Sequence, residues 1–158
     1  MKGNPKVLEE LNRALSAELS AIVQYIVHSE MCENWGYGRL AAYIKKQAID
    51  EMGHAEKLIE RILFFDGEPK VNIQLTAKVG ASVPAQIEND LAGELAAVQM
   101  YNNAAKVCLE AGDNGSRELF EQLVKDEEEH VDFLEAQQQM IKDMGLENYL
   151  AQQAKKES

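Results

Sequence analysis

Apolar residues recur every three to four positions over most of the chain, the period of a helix with one buried face. Leu8, Leu11, Leu15, Ile22 and Tyr25 form the first such stripe. Asn4 and Pro5 stand before it, a capping side chain followed by proline at the first helical position, so a helix is predicted from there to the break at "NWGYG" (34–38). A second helix is predicted from about Leu40 to Phe65, with Leu40, Ile44, Leu58, Ile62 and Phe65 on one face and "DGEP" (66–69) as its end. The stretch "KVNIQLTAKVGAS" that follows has no helical period; its length suits a passage from one end of a helical bundle to the other. Ser82 with Pro84 opens a third helix, which runs to "EAGDNGS". A fourth spans about Ser116 to Met144 and stops at Gly145, and "LENYLAQQAKK" has the composition of a short fifth. The pattern predicts an all-α single domain over residues 1–158: a four-helix bundle with two short turns, one long crossover and a short C-terminal fifth helix.

The stripes are interrupted by charge at matching places. Glu18 stands among Leu11, Leu15 and Ile22, and Glu94 among Ile87, Leu91 and Val98. On the second helix Glu51 shares a line with Ile44, Leu58 and Phe65, and His54 lies between Ala48 and Ile62. On the fourth, Glu127 shares a line with Phe120, Leu134 and Ile141, and His130 follows Leu123. The two halves repeat. "ELSAIVQY" (18–25) aligns with "ELAAVQMY" (94–101), and "DEMGHAEKL" (50–58) with "DEEEHVDFL" (126–134). Each half thus supplies one Glu on its first helix and Glu-x-x-His on its second, and residues i and i+3 share a helix face.

A lone Glu-x-x-His is usually a surface accident. Two in register with two further glutamates on core stripes are not. Buried carboxylates without partners cost several kcal/mol each, and no Lys or Arg lies on these stripes to offset them. Two divalent cations balance four glutamates with two neutral histidines. An oxygen-rich set with one imidazole per ion suits iron or manganese better than a structural zinc site. The arrangement is one already known from di-iron and di-manganese carboxylate bundles of the ferritin-like kind. Glu18, Glu51, His54, Glu94, Glu127 and His130 are therefore the expected metal ligands and catalytic residues. Asp50 and Asp126 are expected to accept from the far ring N–H of the histidine in the opposite half. Tyr25 and Tyr101 each follow a ligand Glu by two turns. They read either as core tyrosines with a bonded hydroxyl, or as donors to the bridging carboxylates or one-electron donors. His28 reads as structural, Trp35 as packing or subunit contact, and Glu128, Glu129 and Asp132 as a solvated face. Met52 turns away from the bundle interior. As residue chemistry alone it is either interface filler or a thioether ligand.

Composition narrows the class. Charged residues make up 27%, with a formal net charge of −11. A surface of that sign argues against nucleic acid and suits a protein that handles cations. No apolar run is long enough to span a bilayer, so no membrane association is expected. Cys32 and Cys108 form no motif, and the N-terminus lacks the apolar stretch of a signal peptide, so the cytoplasm is the expected compartment.

"MKGNPKVLEELN", "IDEMGHAEKLIERILFFDGEP", "DEEEHVDFLE" and "MGLENYL" together resemble the bacterioferritin family over essentially the whole chain. The Glu-Met pair within "DEMGHA" is the most specific part. The resemblance implies iron storage and detoxification. Fe(II) would be oxidised by dioxygen or hydrogen peroxide at a di-iron ferroxidase centre, with Glu51 and Glu127 bridging, and ferric mineral laid down inside a cage of 24 like subunits. It implies haem b shared between Met52 of two copies, a haem pocket drawn from Leu19, Ile22, Val23 and Ile26, and in some members a ferredoxin electron donor for iron release. Lys46, Gln47, Leu58 and Phe133 depart from auxiliary residues of some relatives. Two other classes compete. A rubrerythrin-like peroxidase lacks support because no Cys-x-x-Cys module is present. A haem-binding or scaffold protein with structural metals would show no oxidase activity.

Overall fold

The computed structural model describes residues 1–71 and 75–155. Asn72, Ile73 and Gln74 of the expected crossover, and Lys156 of the expected fifth helix, lie outside the described residues. Five helices follow in order, α1 (Pro5–Asn34), α2 (Gly38–Phe64), α3 (Val83–Glu110), α4 (Asn114–Met144) and α5 (Leu146–Gln153), with no strand among the described residues.

The ends are set by local chemistry. Asn4 Oδ1 accepts the Lys6 N–H at 2.8 Å and Pro5 opens α1. Gly36, at φ +91°, turns the chain out of α1 while the Tyr37 N–H returns to the Cys32 carbonyl, a left-handed ending that favours glycine. Both second helices of the pairs begin two residues before the expected starts at Leu40 and Ser116. For α4 the cause is Asp113, whose carboxylate accepts the Ser116 N–H at 2.9 Å and is itself held by Arg61 at 3.0 Å. For α2 no side chain caps the end; the Tyr37 carbonyl accepts the Ala41 N–H at 2.9 Å.

α1 packs along α2 and α3 along α4, and α1 lies against α3. The core falls into two clusters. One holds Leu11, Leu15, Leu58, Ile62, Tyr101, Phe120 and Leu123, and the other holds Tyr25, Leu40, Ile44, Ala48, Ile87, Leu134 and Tyr149. The interrupting Glu and His residues sit between them. Tyr149 brings α5 into the second cluster, fully buried, with its hydroxyl donating to Gln137 Oε1 at 2.7 Å.

Residues 76–80 of the crossover run along α1 on a ladder of side chains. Ser20 Oγ accepts the Thr76 N–H at 3.3 Å, Gln24 Oε1 the Lys78 N–H at 2.9 Å, and His28 Nε2 the Gly80 N–H at 3.0 Å. Acceptors on the helix are spaced by four residues and donors on the crossover by two. Four helical residues rise about 6 Å and two extended ones about 6.6 Å, so the two repeats match. Asp90 of α3 completes the network, accepting from Gln24 at 2.8 Å and from His28 Nδ1 at 2.9 Å.

Candidate metal centre

Four helices each deliver a glutamate to the middle of the bundle, and α2 and α4 each add a histidine one turn on. All six side chains are buried, His130 the most exposed at 6%. Their ligand atoms form two groups, each compact enough to surround one ion. Glu18, Glu51, His54 and Glu127 make one, and Glu51, Glu94, Glu127 and His130 the other, with atoms inside each group within 4.8 Å of one another. Glu51 and Glu127 belong to both groups.

The histidines present Nδ1 to the interior. His54 Nδ1 lies 3.2 Å from Glu127, 3.3 Å from Glu51 and 3.6 Å from Glu18. His130 Nδ1 lies 3.0 Å from Glu51, 3.4 Å from Glu94 and 3.8 Å from Glu127. On the far side His54 Nε2 meets Asp126 at 3.0 Å, and His130 Nε2 faces Asp50 at 3.6 Å. An aspartate that takes the Nε2 proton leaves the Nδ1 lone pair for a metal. That contact is a hydrogen bond for His54, whereas the Asp50 distance is too long for one.

The tyrosines depart from one of the roles read from the sequence. Tyr25 donates to Glu94 Oε1 and Tyr101 to Glu18 Oε1, each crossing to the other half of the chain. Neither hydroxyl is hydrogen-bonded to Glu51 or Glu127, the two shared carboxylates; each belongs to a buried tyrosine bonded to the other half's glutamate. Two turns of helix carry each hydroxyl past its own half's glutamate and up to its counterpart. Each tyrosine holds one oxygen of its glutamate, and the other oxygen, Oε2 in both, has no hydrogen bond.

Unpaired atoms mark the interior of the site. Glu18 Oε2, Glu51 Oε1, Glu94 Oε2, Glu127 Oε1 and His130 Nδ1 are buried without a hydrogen bond. The 3.0 Å approach of His130 Nδ1 to Glu51 Oε1 lacks hydrogen-bond alignment, so proximity there is not pairing. Lone pairs converging on a buried interior fit a pair of cations, and carboxylates with one imidazole per ion fit iron or manganese. Without metal, protons balance the charge. Burial favours neutral imidazoles, yet the carboxylates around them push His54 and His130 up to about 10. Burial, then Glu94 beside it, pushes Glu127 up to about 11. Burial opposes ionisation of Glu51 as well, but the two histidines hold it down at about 2. Burial and the neighbouring carboxylates raise both tyrosines well above the usual phenol range.

Two openings reach the centre. A cavity of about 210 Å³ between α1 and α3, walled by Ala17, Ala21, Gly93 and Ala97, leads to all four glutamates. One of about 390 Å³ on the α2–α4 face, bordered by Asp50, Lys57, Asp126 and Glu129, leads to the two histidines.

Met52 is half exposed on the outer side of α2 beside exposed Ile49. Val23 and Ile26 are exposed on α1, whereas Leu19 and Ile22 are partly buried against the core. A thioether on an apolar surface fits a haem iron, and one chain offers one axial ligand, so two copies would be needed. The sequence did not disclose Ser20, Gln24, His28 and Asp90 as one network. Nor did it show Gln47 to be buried.

Residues 8–144 match the family model for the ferritin-like domain. Bacterioferritins of Brucella melitensis and Rhodobacter capsulatus are each 44% identical to the chain over 149 residues, covering 94% of it and 92% of theirs. The structure of Mycobacterium tuberculosis bacterioferritin, BfrA, superposes with a TM-score of 0.95 at 41% identity, over 97% of this chain and 96% of that one. The helix order, the crossover and the doubled Glu/Glu-x-x-His set coincide with that likeness, and the chain belongs to the bacterioferritin family.

Proposed function

We propose that the chain is an iron-storage ferroxidase, taking Fe(II) as substrate and dioxygen or hydrogen peroxide as oxidant, working in the cytoplasm. One observation carries the reading. Two four-ligand groups share Glu51 and Glu127 in a buried site where each glutamate keeps one oxygen without a hydrogen bond. A pair of ions held there supplies two electrons from adjacent positions to one oxidant molecule.

The chain's own residues do the rest. Glu51 and Glu127 bind both ions and hold them close together. His54 and His130 each bind one through Nδ1, with Asp126 orienting the first imidazole. Tyr101 and Tyr25 steady Glu18 and Glu94 at one oxygen and leave the other for metal. The apolar clusters at either end exclude bulk water, which strengthens every charge contact inside. Oxidised iron then passes through the α2–α4 opening, by Asp50 and Asp126, to a cavity enclosed by like subunits, 24 in the cage. Met52 of two copies would hold haem b, in a pocket bordered by Leu19, Ile22, Val23 and Ile26, and the haem would supply one-electron transfer for iron release, with a ferredoxin as donor.

Stopped-flow mixing of Fe(II) with the air-equilibrated, metal-free protein tests the centre. Glu51→Ala and Glu127→Ala each remove a ligand from both ions and should abolish the rapid oxidation phase. Wild-type rates in both variants would overturn the assignment.

A further inference from the structure

We propose that Gln47 holds a water molecule on the metal position built by Glu94 and His130, so that the two metal positions of one chain are unequal. The proposal rests on the di-metal reading above. Among the described residues, the buried side-chain polar atoms without a hydrogen bond belong to the metal-site glutamates, to His130 and to one further residue. That residue is Gln47, at 2% exposure, with both Nε2 and Oε1 unpaired. A desolvated carboxamide with neither end satisfied is costly, and nothing in the ligand set above uses it.

Its position is fixed by register. α2 and α4 run antiparallel, with Tyr43 stacked on Phe133 at a ring separation of 3.5 Å and Asp50 facing His130. Gln47, one turn from Tyr43 and nearly one from Asp50, therefore stands between the levels of Phe133 and His130. It also shares the inward stripe of Ile44 and Glu51, both buried. A carboxamide cannot replace a carboxylate as an anionic ligand, but it donates and accepts, and water is the partner that satisfies both ends.

The internal repeat supplies the control. Gln47 corresponds to Leu123 in the second half, as Glu51 does to Glu127. Leu123 is 1% exposed and packs with Leu58, Tyr101 and Phe120 at the His54 end of the site. The Glu18–His54 position thus abuts an apolar wall where the Glu94–His130 position meets an amide. Equal ligands in unequal surroundings make the two ions unequal, and the water on the Glu94–His130 ion depends on Gln47.

The test is a stepwise Co(II) titration of the assembled, metal-depleted protein, followed by calorimetry and visible absorption, for wild type, Gln47→Leu and Gln47→Met. Wild type should bind two Co(II) per chain in two resolved steps. Both variants should weaken one step by about tenfold or more, the usual loss when a partner of a metal-bound group is removed, and leave the other unchanged. Absorption from the weakened ion should intensify as it loses a ligand. A crystal structure of the Co(II)-loaded wild type should show a water shared by one ion and the Gln47 amide. Two unaltered binding steps in both variants, with only the melting temperature moved, would make Gln47 a structural residue and overturn the proposal. Failure of the wild type to bind two Co(II) would instead overturn the metal-centre reading, and this proposal with it.

Discussion

A carboxylate-lined site with no metal in it must find its counter-charge in protons, and the individual side chains show where they sit. His54 and His130 are held up at about 10 by the glutamates around them. An imidazole pKa raised in the folded chain adds stability below its ordinary value near 6.5, and that stability is lost as pH climbs through the folded value. The raised pKa of Glu127 acts in the same direction over this range. Metal binding needs both imidazoles neutral, so it competes with these protons and strengthens as they leave. Between pH 6.5 and 9.5 the melting temperature of the metal-free protein should therefore fall while the Zn(II)- or Co(II)-loaded protein changes less. The gap between them should widen with pH. Melting curves with and without metal, at matched ionic strength, measure it directly. A gap that narrows over this interval would mean the histidines are already neutral in the metal-free chain.

The crossover is an element whose placement depends on α1 more than on its own sequence. Its backbone donors at Thr76, Lys78 and Gly80 end on Ser20, Gln24 and His28. Of these, His28 also meets buried Asp90, whose carboxyl is pushed up by burial despite that contact. His28→Ala leaves both the Gly80 N–H and Asp90 short of a partner and should cost about 2–4 kcal/mol, on the scale of one to two unsatisfied buried groups. Ser20→Ala removes one longer bond and should cost under about 1 kcal/mol. Urea unfolding gives the ranking, and limited proteolysis should cut His28→Ala first within residues 75–82. This ladder also marks where the sequence stopped being legible. The helices could be read because their apolar residues keep one period, and the metal ligands because charges break that period at repeated places. Ser20, Gln24 and His28 repeat every four residues too, but polar residues at that spacing look like a solvated face. Only the extended chain lying over them turns the face inward. Gln47 was hidden for the same reason. A lone polar residue on an apolar stripe says nothing of its unmet hydrogen bonds until its neighbours are placed. That the tyrosines are core residues with bonded hydroxyls was legible from their stripe, but their partners were not, since these lie in the other half of the repeat.

For the whole molecule the open question is what covers the outer face of α1 and α2. Val23, Ile26, Ile49 and Met52 are all exposed there, 36% to 54%, in a chain of net charge −11. Scattered apolar residues need no explanation, but four on neighbouring helices around a thioether suit a surface that meets its own copy. Like charge opposes that meeting and salt screens it, so pairing of subunits should strengthen from low to physiological ionic strength. Met52→Leu separates the two roles of the face. Leucine keeps the apolar volume and removes the sulfur. The variant should therefore assemble to the same size by analytical ultracentrifugation while losing the low-spin haem spectrum expected of the wild type after reduction with dithionite. Two thioethers per iron imply about half a haem per chain in the wild type. A haem band retained in Met52→Leu would place the ligand elsewhere. Loss of assembly together with the band would mean that the thioether packs the interface and the haem depends on the pairing, not on the sulfur.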